Sequence, residues 1–329
     1  MKRVLAIATV FSLFVLGAAW IDLGLCQDKP VNFKLGHSVA TDHPYHLGAM
    51  KFAELVAQRT GNKVKIDINP SAQLGGERDL VEGLQLGTVD LVVTSTGPVG
   101  GFVPKMFVVD LPFLFQSREH AYKVLDGPIG TDLLGALSAK GIKGLAFWEN
   151  GFRNITNSTR PIEKPEDLKG IKIRTMENKI HLASFKAWGA SPTPMAFPEV
   201  YTALQQKTID AQENPIAIIY TAKFYEVQKY LSLTGHFYSP ALLLMAEKAY
   251  SSLPKDIQKV FDDTALECAT YERNLLRDNE QKQIDDLKAK GMQVNTPPKR
   301  PFQDAAESVY KEFEAQFGKE LLDKIMATK

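Results

Sequence analysis

Cysteine is nearly missing from this chain. Only Cys26 and Cys268 occur in 329 residues, so no disulfide framework can be read from the sequence. Charge imbalance is missing as well. Lys and Arg number 39 against 38 Asp and Glu, and no basic run interleaves with aromatics, which excludes nucleic acid as a partner. Beyond residue 20 no apolar stretch approaches the ~18 residues of a membrane span. Catalytic signatures are absent too. There is no Gly-x-Ser-x-Gly elbow, and Gly75-Gly76 and Gly100-Gly101 lack the spacing of a phosphate-binding or dinucleotide loop. His43 and His46 lie close together, but no Glu or Cys stands where a metal site would need it. Cys268 sits in a helical pattern and reads as a buried structural thiol, leaving no nucleophile–base pair. Nothing here points to an enzyme, a metal centre or a bound cofactor.

What remains is an ordinary globular composition, 44% hydrophobic and 23% charged, with room for a large core and about two domains. Lys2 and Arg3 precede an apolar run, Val4 to Trp20, with small residues at Gly17, Ala18 and Ala19. This reads as a secretory signal peptide spanning residues 1–26, and it predicts a destination outside the cytoplasm. Leu23-Gly24-Leu25-Cys26 is similar to a lipoprotein cleavage site, although Leu25 is bulky where a small residue is usual. An unmodified and a lipid-bearing end both stay open. Without Lys2, Arg3 and Asp22 the net charge is near zero.

Hydrophobic periodicity predicts a strand at Val31–His37, a helix at Tyr45–Arg59 closed by Gly61, a strand at Val64–Asn69 and a helix at Glu77–Leu86. This alternation predicts an α/β fold with parallel sheets. Leu84-Gln85-Leu86-Gly87-Thr88-Val89-Asp90 is echoed by Leu204-Gln205-Gln206-Lys207-Thr208-Ile209-Asp210. Each stretch leads toward a short polar segment, Thr94-Ser95-Thr96 or Gln212-Glu213-Asn214. The repetition predicts two similar lobes with a cleft between facing strand ends. From Pro254 to Gly291 an apolar stripe at helical spacing predicts one helix about 55 Å long at ~1.5 Å per residue, long enough to bridge both lobes. A last helix is expected from about Pro301 to Ala327. Lobe I is placed at 27–150 plus about 240–279, and lobe II at 151–239 plus about 280–329.

Gly170-Ile171-Lys172-Ile173-Arg174-Thr175-Met176 alternates apolar and basic residues and reads as a short strand. Arg174 falls near its carboxyl end, where ligands gather in open α/β sheets, and arginine suits bidentate capture of a carboxylate. Lys172 lies earlier and is expected to reach water. Spacing alone leaves both an anion-binding Arg174 and a solvated one open.

A resemblance decides between them. Gly151-Phe152-Arg153-Asn154-Ile155-Thr156-Asn157, Asp167 through Arg174, Gly189 through Met195 with Phe197-Pro198-Glu199-Val200-Tyr201, and Asp210 through Pro215 together resemble the substrate-binding proteins of TRAP transporters. Gln73-Leu74-Gly75 and Leu111-Pro112-Phe113-Leu114 extend the likeness over nearly all the mature chain. The resemblance implies a two-lobe periplasmic-binding-protein fold with a long helix across both lobes. It also implies capture of a small organic acid and delivery to a permease of a small and a large membrane subunit. Arg174 matches the family's carboxylate-binding arginine, Arg153 its second pocket arginine, Asn214 its pocket asparagine and Phe197 its aromatic pocket residue. His43, Glu77, Ser95 and Thr96 resemble lining positions of the first lobe, and Trp148 is expected to add an aromatic wall or else to belong to the core. Sialate-binding relatives carry an acidic residue after the strand that here ends in Thr94-Ser95-Thr96, so sialate is disfavoured. A C4-dicarboxylate, a sugar acid and an aromatic keto acid stay open. The protein is expected to be a monomer. Presentation of the ligand to a signalling receptor rather than a permease is the alternative function.

Overall fold

A computed structural model describes residues 30–328; the expected signal peptide and Cys26 lie outside the described residues. Nine strands form one sheet among them. They are β1 (Val31–Gly36), β2 (Val64–Asn69), β3 (Leu91–Ser95), β4 (Ile142–Asn157), β5 (Lys172–Thr175), β6 (Ser191–Pro194), β7 (Ala211–Pro215), β8 (Tyr230–Ala246) and β9 (Gln293–Asn295). The order is β2-β1-β3-β8-β4-β7-β5-β6, with β9 beside β8. This order reads as the same unit from either end. β1 pairs in parallel with β2 and β3, and β5 pairs in parallel with β6 and β7.

The expectation of parallel sheets holds only for these outer units. β3 runs antiparallel to β8, β7 runs antiparallel to β4, and β4 and β8 are antiparallel to each other. The sheet is therefore mixed, because the chain passes from one half to the other along β4 and returns along β8. Much of both strands is buried on both faces, which removes the alternation that would mark them as half-exposed strands.

The repeated heptapeptide is a repeated structure. Thr88 N donates to Gly83 O and Thr208 N to Ala203 O, both at 3.0 Å. In one half the backbone N–H of Lys34 donates to the Asp90 carboxylate at 2.8 Å, and in the other that of Lys172 donates to Asp210 at 2.9 Å. Each aspartate returns a backbone bond to the same lysine carbonyl. The aspartate closes the turn between a helix and the next parallel strand, and it does so once in each half.

The long helix runs from Lys255 to Ala289 with Pro254 before it and Gly291 after it. Phe261, Ala265, Cys268 and Ala269 face a core shared with Phe52, Trp148 and Leu243. Burial pushes the Cys268 thiol up to about 12. On the other sheet face, Leu80, Val92, Phe107 and Leu242 pack against Phe313 and Ile325. The expected final helix is three helices, Arg300–Ala305, Glu307–Phe317 and Lys319–Ala327. Gly318 has φ +80°, a left-handed value that ends a helix. Packing explains the division, since Phe302 and Ala306 join the Trp188 and Phe237 cluster while Val309 and Phe313 join the Leu80 cluster.

Because the two aspartate clamps are partly exposed and geometrically alike, Asp90→Ala and Asp210→Ala should each cost about 1 kcal/mol. Urea unfolding of the two variants should give losses within ~0.5 kcal/mol of each other. A large asymmetry would show that the two turns carry different structural weight.

Candidate functional site

Between the two halves lies a small, partly enclosed cavity. Ser38, Val39, Tyr45, Glu77 and Asn150 line it from one side, and Arg174, Met176, Phe197, Asn214 and Ile218 from the other. The fold explains the convergence. Ser38 and Val39 follow β1, Arg174 stands near the end of β5, and Asn214 near the end of β7, so the cavity gathers the carboxyl ends of parallel strands. Glu77 and Tyr45 sit in the first turns of their helices, and Asn150 lies on β4 where it passes between the halves.

Arg174 is 2% exposed. Its Nε and Nη2 both donate to the Met195 carbonyl, at 2.9 and 2.8 Å, which fixes one edge of the guanidinium. Nη1 is buried with no hydrogen-bond partner, so it, together with the second hydrogen of Nη2, is left to donate on a residue that lines the cavity. Burial lowers this group to about 10, with Arg153 pushing the same way against Glu213; it remains a cation at neutral pH. Among the described residues three arginines are buried, Arg153, Arg174 and Arg273. Arg153 pairs with Glu213 and Arg273 with Asp126, and Arg174 alone has no carboxylate partner.

Arg153 sits behind the cavity rather than on its wall. Its Nε meets Glu213 at 2.5 Å, and its Nη2 meets Glu213 Oε1 at 2.7 Å and the Asn214 side-chain oxygen at 3.0 Å. Burial would raise Glu213, but the Arg153 charge and the His236 hydrogen bond hold its carboxyl well below the usual range. His181, stacked on Phe237 at 4.0 Å, is lowered to about 3 by burial and is neutral. Asn214 lines the cavity with its oxygen on Arg153 and its nitrogen donating to Gln212 at 2.6 Å. Phe197 forms an apolar wall, edge-on to Phe224.

The remaining expected residues divide. Glu77 lines the cavity, its oxygens accepting from Ser95 N at 2.6 Å, Ser95 Oγ at 3.0 Å and Thr94 Oγ1 at 3.2 Å. Ser95 is one shell back, holding Glu77. Thr96 points elsewhere, donating to Asp110 at 2.7 Å. His43 caps the helix Pro44–Arg59 by accepting from Tyr45 N at 3.1 Å, and burial lowers it to about 3. Trp148 is wholly buried against Gly48 and donates to the Ala265 carbonyl at 3.3 Å, which is the core position that competed with an aromatic wall. The cavity also has lining residues that sequence reasoning missed. Tyr45 OH and Asn150 Oδ1 are buried there without partners. Tyr45 follows directly on His43-Pro44 and Asn150 directly precedes the Gly151-Phe152-Arg153 motif, so proximity to those motifs was the available signal.

The residues 35–316 match the model of the bacterial extracellular solute-binding proteins, family 7. The chain belongs to this family. A solute-binding protein of Verminephrobacter eiseniae is 47% identical, with 88% of this chain and 87% of that relative aligned. The 2,3-diketo-L-gulonate-binding periplasmic protein of Escherichia coli K12 is 40% identical over 91% of this chain and 90% of that one. The crystal structure of a TRAP periplasmic solute-binding protein from Polaromonas sp. JS666, bound to D-erythronate, superposes with a TM-score of 0.90 at 48% identity, covering 91% of this chain and 99% of that one. The family 7 fold thus has two lobes, and here they touch beside the cavity. Asn178, which caps the helix Lys179–Ala187, donates across to Asp110 at 2.7 Å, and Ser95 Oγ meets Met176 sulfur at 3.3 Å.

Burial pushes the Asp110 carboxyl up to about 7, against the lowering effect of its Thr96 and Asn178 hydrogen bonds. A carboxyl raised in the folded state stabilises fully below its unfolded value of ~3.9 and loses that contribution as pH rises through the folded value. Wild type should therefore lose stability relative to Asp110→Asn between pH 4 and 7, by up to about 1.4 kcal/mol per pH unit, and the difference should level off above pH 8. Parallel pH profiles from urea unfolding would show that Asp110 does not titrate in this range.

Proposed function

We propose that this chain is the extracytoplasmic binding component of a TRAP transporter. It captures a small organic acid in the cleft between its lobes and hands it, unchanged, to the small and large membrane subunits of a permease. The observation that carries this reading is Arg174, a buried cation without a carboxylate partner on a cavity walled by both lobes. Burying an uncompensated charge is costly, and a ligand carboxylate on the Nη1–Nη2 end compensates it. The periplasmic relative that binds 2,3-diketo-L-gulonate and the neighbour holding D-erythronate both bind carboxylic acids, which supports the same class here and a periplasmic location.

In this reading Arg153 acts chiefly through Glu213 and Asn214, which it holds in register, while Phe197 packs on the ligand carbon skeleton. Ser95 supports Glu77, and His43, Thr96 and Trp148 support the first lobe without touching ligand. Lobe I takes 27–150 with about 240–279, and lobe II 151–239 with about 280–306; the helices Glu307–Phe317 and Lys319–Ala327, expected in lobe II, pack instead on the lobe I core with Leu80 and Phe107. Register shifts where β4 meets β8, between Glu149 and Gly151, lie at that boundary and support it. A ligand that touches both lobes favours their closed arrangement by its greater affinity for it.

Calorimetry with D-erythronate as first probe, followed by a panel of organic acids, tests the anchor. Arg174→Ala should weaken the bound acid by about 3 to 5 kcal/mol, at least ~100-fold. Arg174→Lys should also bind poorly, because an ammonium keeps the charge and loses the fork. Affinity within a few-fold of wild type for a folded Arg174→Lys protein would rule out bidentate anchoring; full affinity for Arg174→Ala would remove the residue from the site.

A further inference from the structure

The cavity is electrically lopsided in a way that bears on what else the acid carries. Among its lining residues Arg174 is the cation and Glu77 the acid, one from each lobe, and the other eight are neutral. The second buried arginine nearby, Arg153, is ion-paired with Glu213 and is not among the lining residues. A ligand with one carboxylate finds its counter-charge at Arg174. A second carboxylate at the far end would have no cation to meet and would approach Glu77.

Glu77 cannot readily turn away. Three donors of its own lobe, Ser95 N, Ser95 Oγ and Thr94 Oγ1, hold both carboxylate oxygens in place. A carboxylate offers about four acceptor positions, so the held group still accepts from a donor in the cavity. Asn150 adds a second acceptor, since its Oδ1 is buried without a partner while its Nδ2 donates to Ser239 at 3.3 Å. Tyr45 OH, also without a partner, can donate or accept. The lobe I wall therefore asks its ligand chiefly for hydrogen-bond donors, and ligand hydroxyls supply them.

We propose that Glu77 is a specificity-determining residue: it selects small hydroxylated monocarboxylates and rejects acids of the same length with a carboxylate at both ends. This rests on Arg174 as the carboxylate anchor. Glu77 contributes by attraction, accepting from a hydroxyl, and by repulsion toward a second anion; specificity commonly combines the two. A site built to pair a hydroxyl discriminates strongly against an analogue that leaves its polar groups unpaired.

The test uses matched pairs of aldonic acids and their terminally oxidised counterparts, from four to six carbons. D-erythronate and meso-tartrate form the shortest pair, differing only in a terminal CH2OH against a carboxylate. Calorimetry on the purified protein should show a tightest-binding aldonate at least ~100-fold stronger than its dicarboxylate partner. Glu77→Gln, which removes the charge, should shrink that ratio to within ~10-fold. Glu77→Asp, which keeps the acid, should retain the rejection while binding the aldonate more weakly. Dicarboxylates that bind wild type as tightly as their aldonate partners overturn the proposal and leave the Arg174 anchor standing. A folded Glu77→Gln protein with the wild-type ratio overturns it equally. If no acid of either kind binds wild type, the anchor reading falls as well. Should Glu77→Gln fail to fold, the wild-type ratio and Glu77→Asp still decide.

Discussion

The antiparallel pairing of β4 with β8 runs from Ile142 opposite Ala246 at one end to Asn157 opposite Tyr230 at the other. Both lobes hang on this pair, β3 bonding to the Ala246 end of β8 and β7 to the Asn157 end of β4. The two parallel three-strand units therefore point their carboxyl ends at each other across one seam. Each cavity residue inherits its place from that constraint, including Arg174 on β5 and Asn214 on β7. The seam is also where the ladder is least regular, since Gly151 has φ +118° and its register shifts beside Glu149. A side chain there would be strained in a left-handed backbone and would sit close to Pro215. Backbone that departs from a regular ladder can change its dihedral angles with the loss of fewer bonds, which suits a hinge.

Behind the seam lies a partly buried polar network that ties the strand to the long helix. Arg118 bridges Glu149 on β4 and Glu280 on the helix, with bonds of 2.7 to 3.0 Å, and Tyr122 also donates to Glu149. Glu272 accepts from the Glu149 backbone N–H at 3.0 Å. Burial, reinforced by Glu149, pushes the Glu272 carboxyl well above its ordinary range. Such a network specifies one alignment of strand and helix, because a shift of either leaves charges buried without partners.

The same physics separates the two arginines of the second lobe. Arg153 and Glu213 are both fully buried on neighbouring strands and form an ion pair, although Arg153 Nη1 keeps no hydrogen-bond partner. Arg174 is held by a neutral carbonyl alone. Met195 fixes its direction without neutralising it. Position, charge and a free donor edge are together what a carboxylate site needs.

Much of the fold was legible in the residues themselves. The first two strands, the helices at Pro44–Arg59 and Glu77–Leu86, the long helix and the repeated aspartate turn follow from periodicity, capping and turn chemistry, which act within a few residues of each other. The placement of Arg174 at a strand end follows from the same local pattern, as does the buried thiol of Cys268. The mixed sheet does not, because strand direction depends on pairing between segments far apart in the chain, as in Ile142 with Ala246. Nor does the breaking of the last helix, which depends on Phe302 and Phe313 choosing different cores. Partnering was equally hidden. A sequence shows two arginines in suggestive motifs, but which one meets a glutamate, and that Trp148 turns to the long helix rather than the cavity, depends on side chains brought together only when the chain folds.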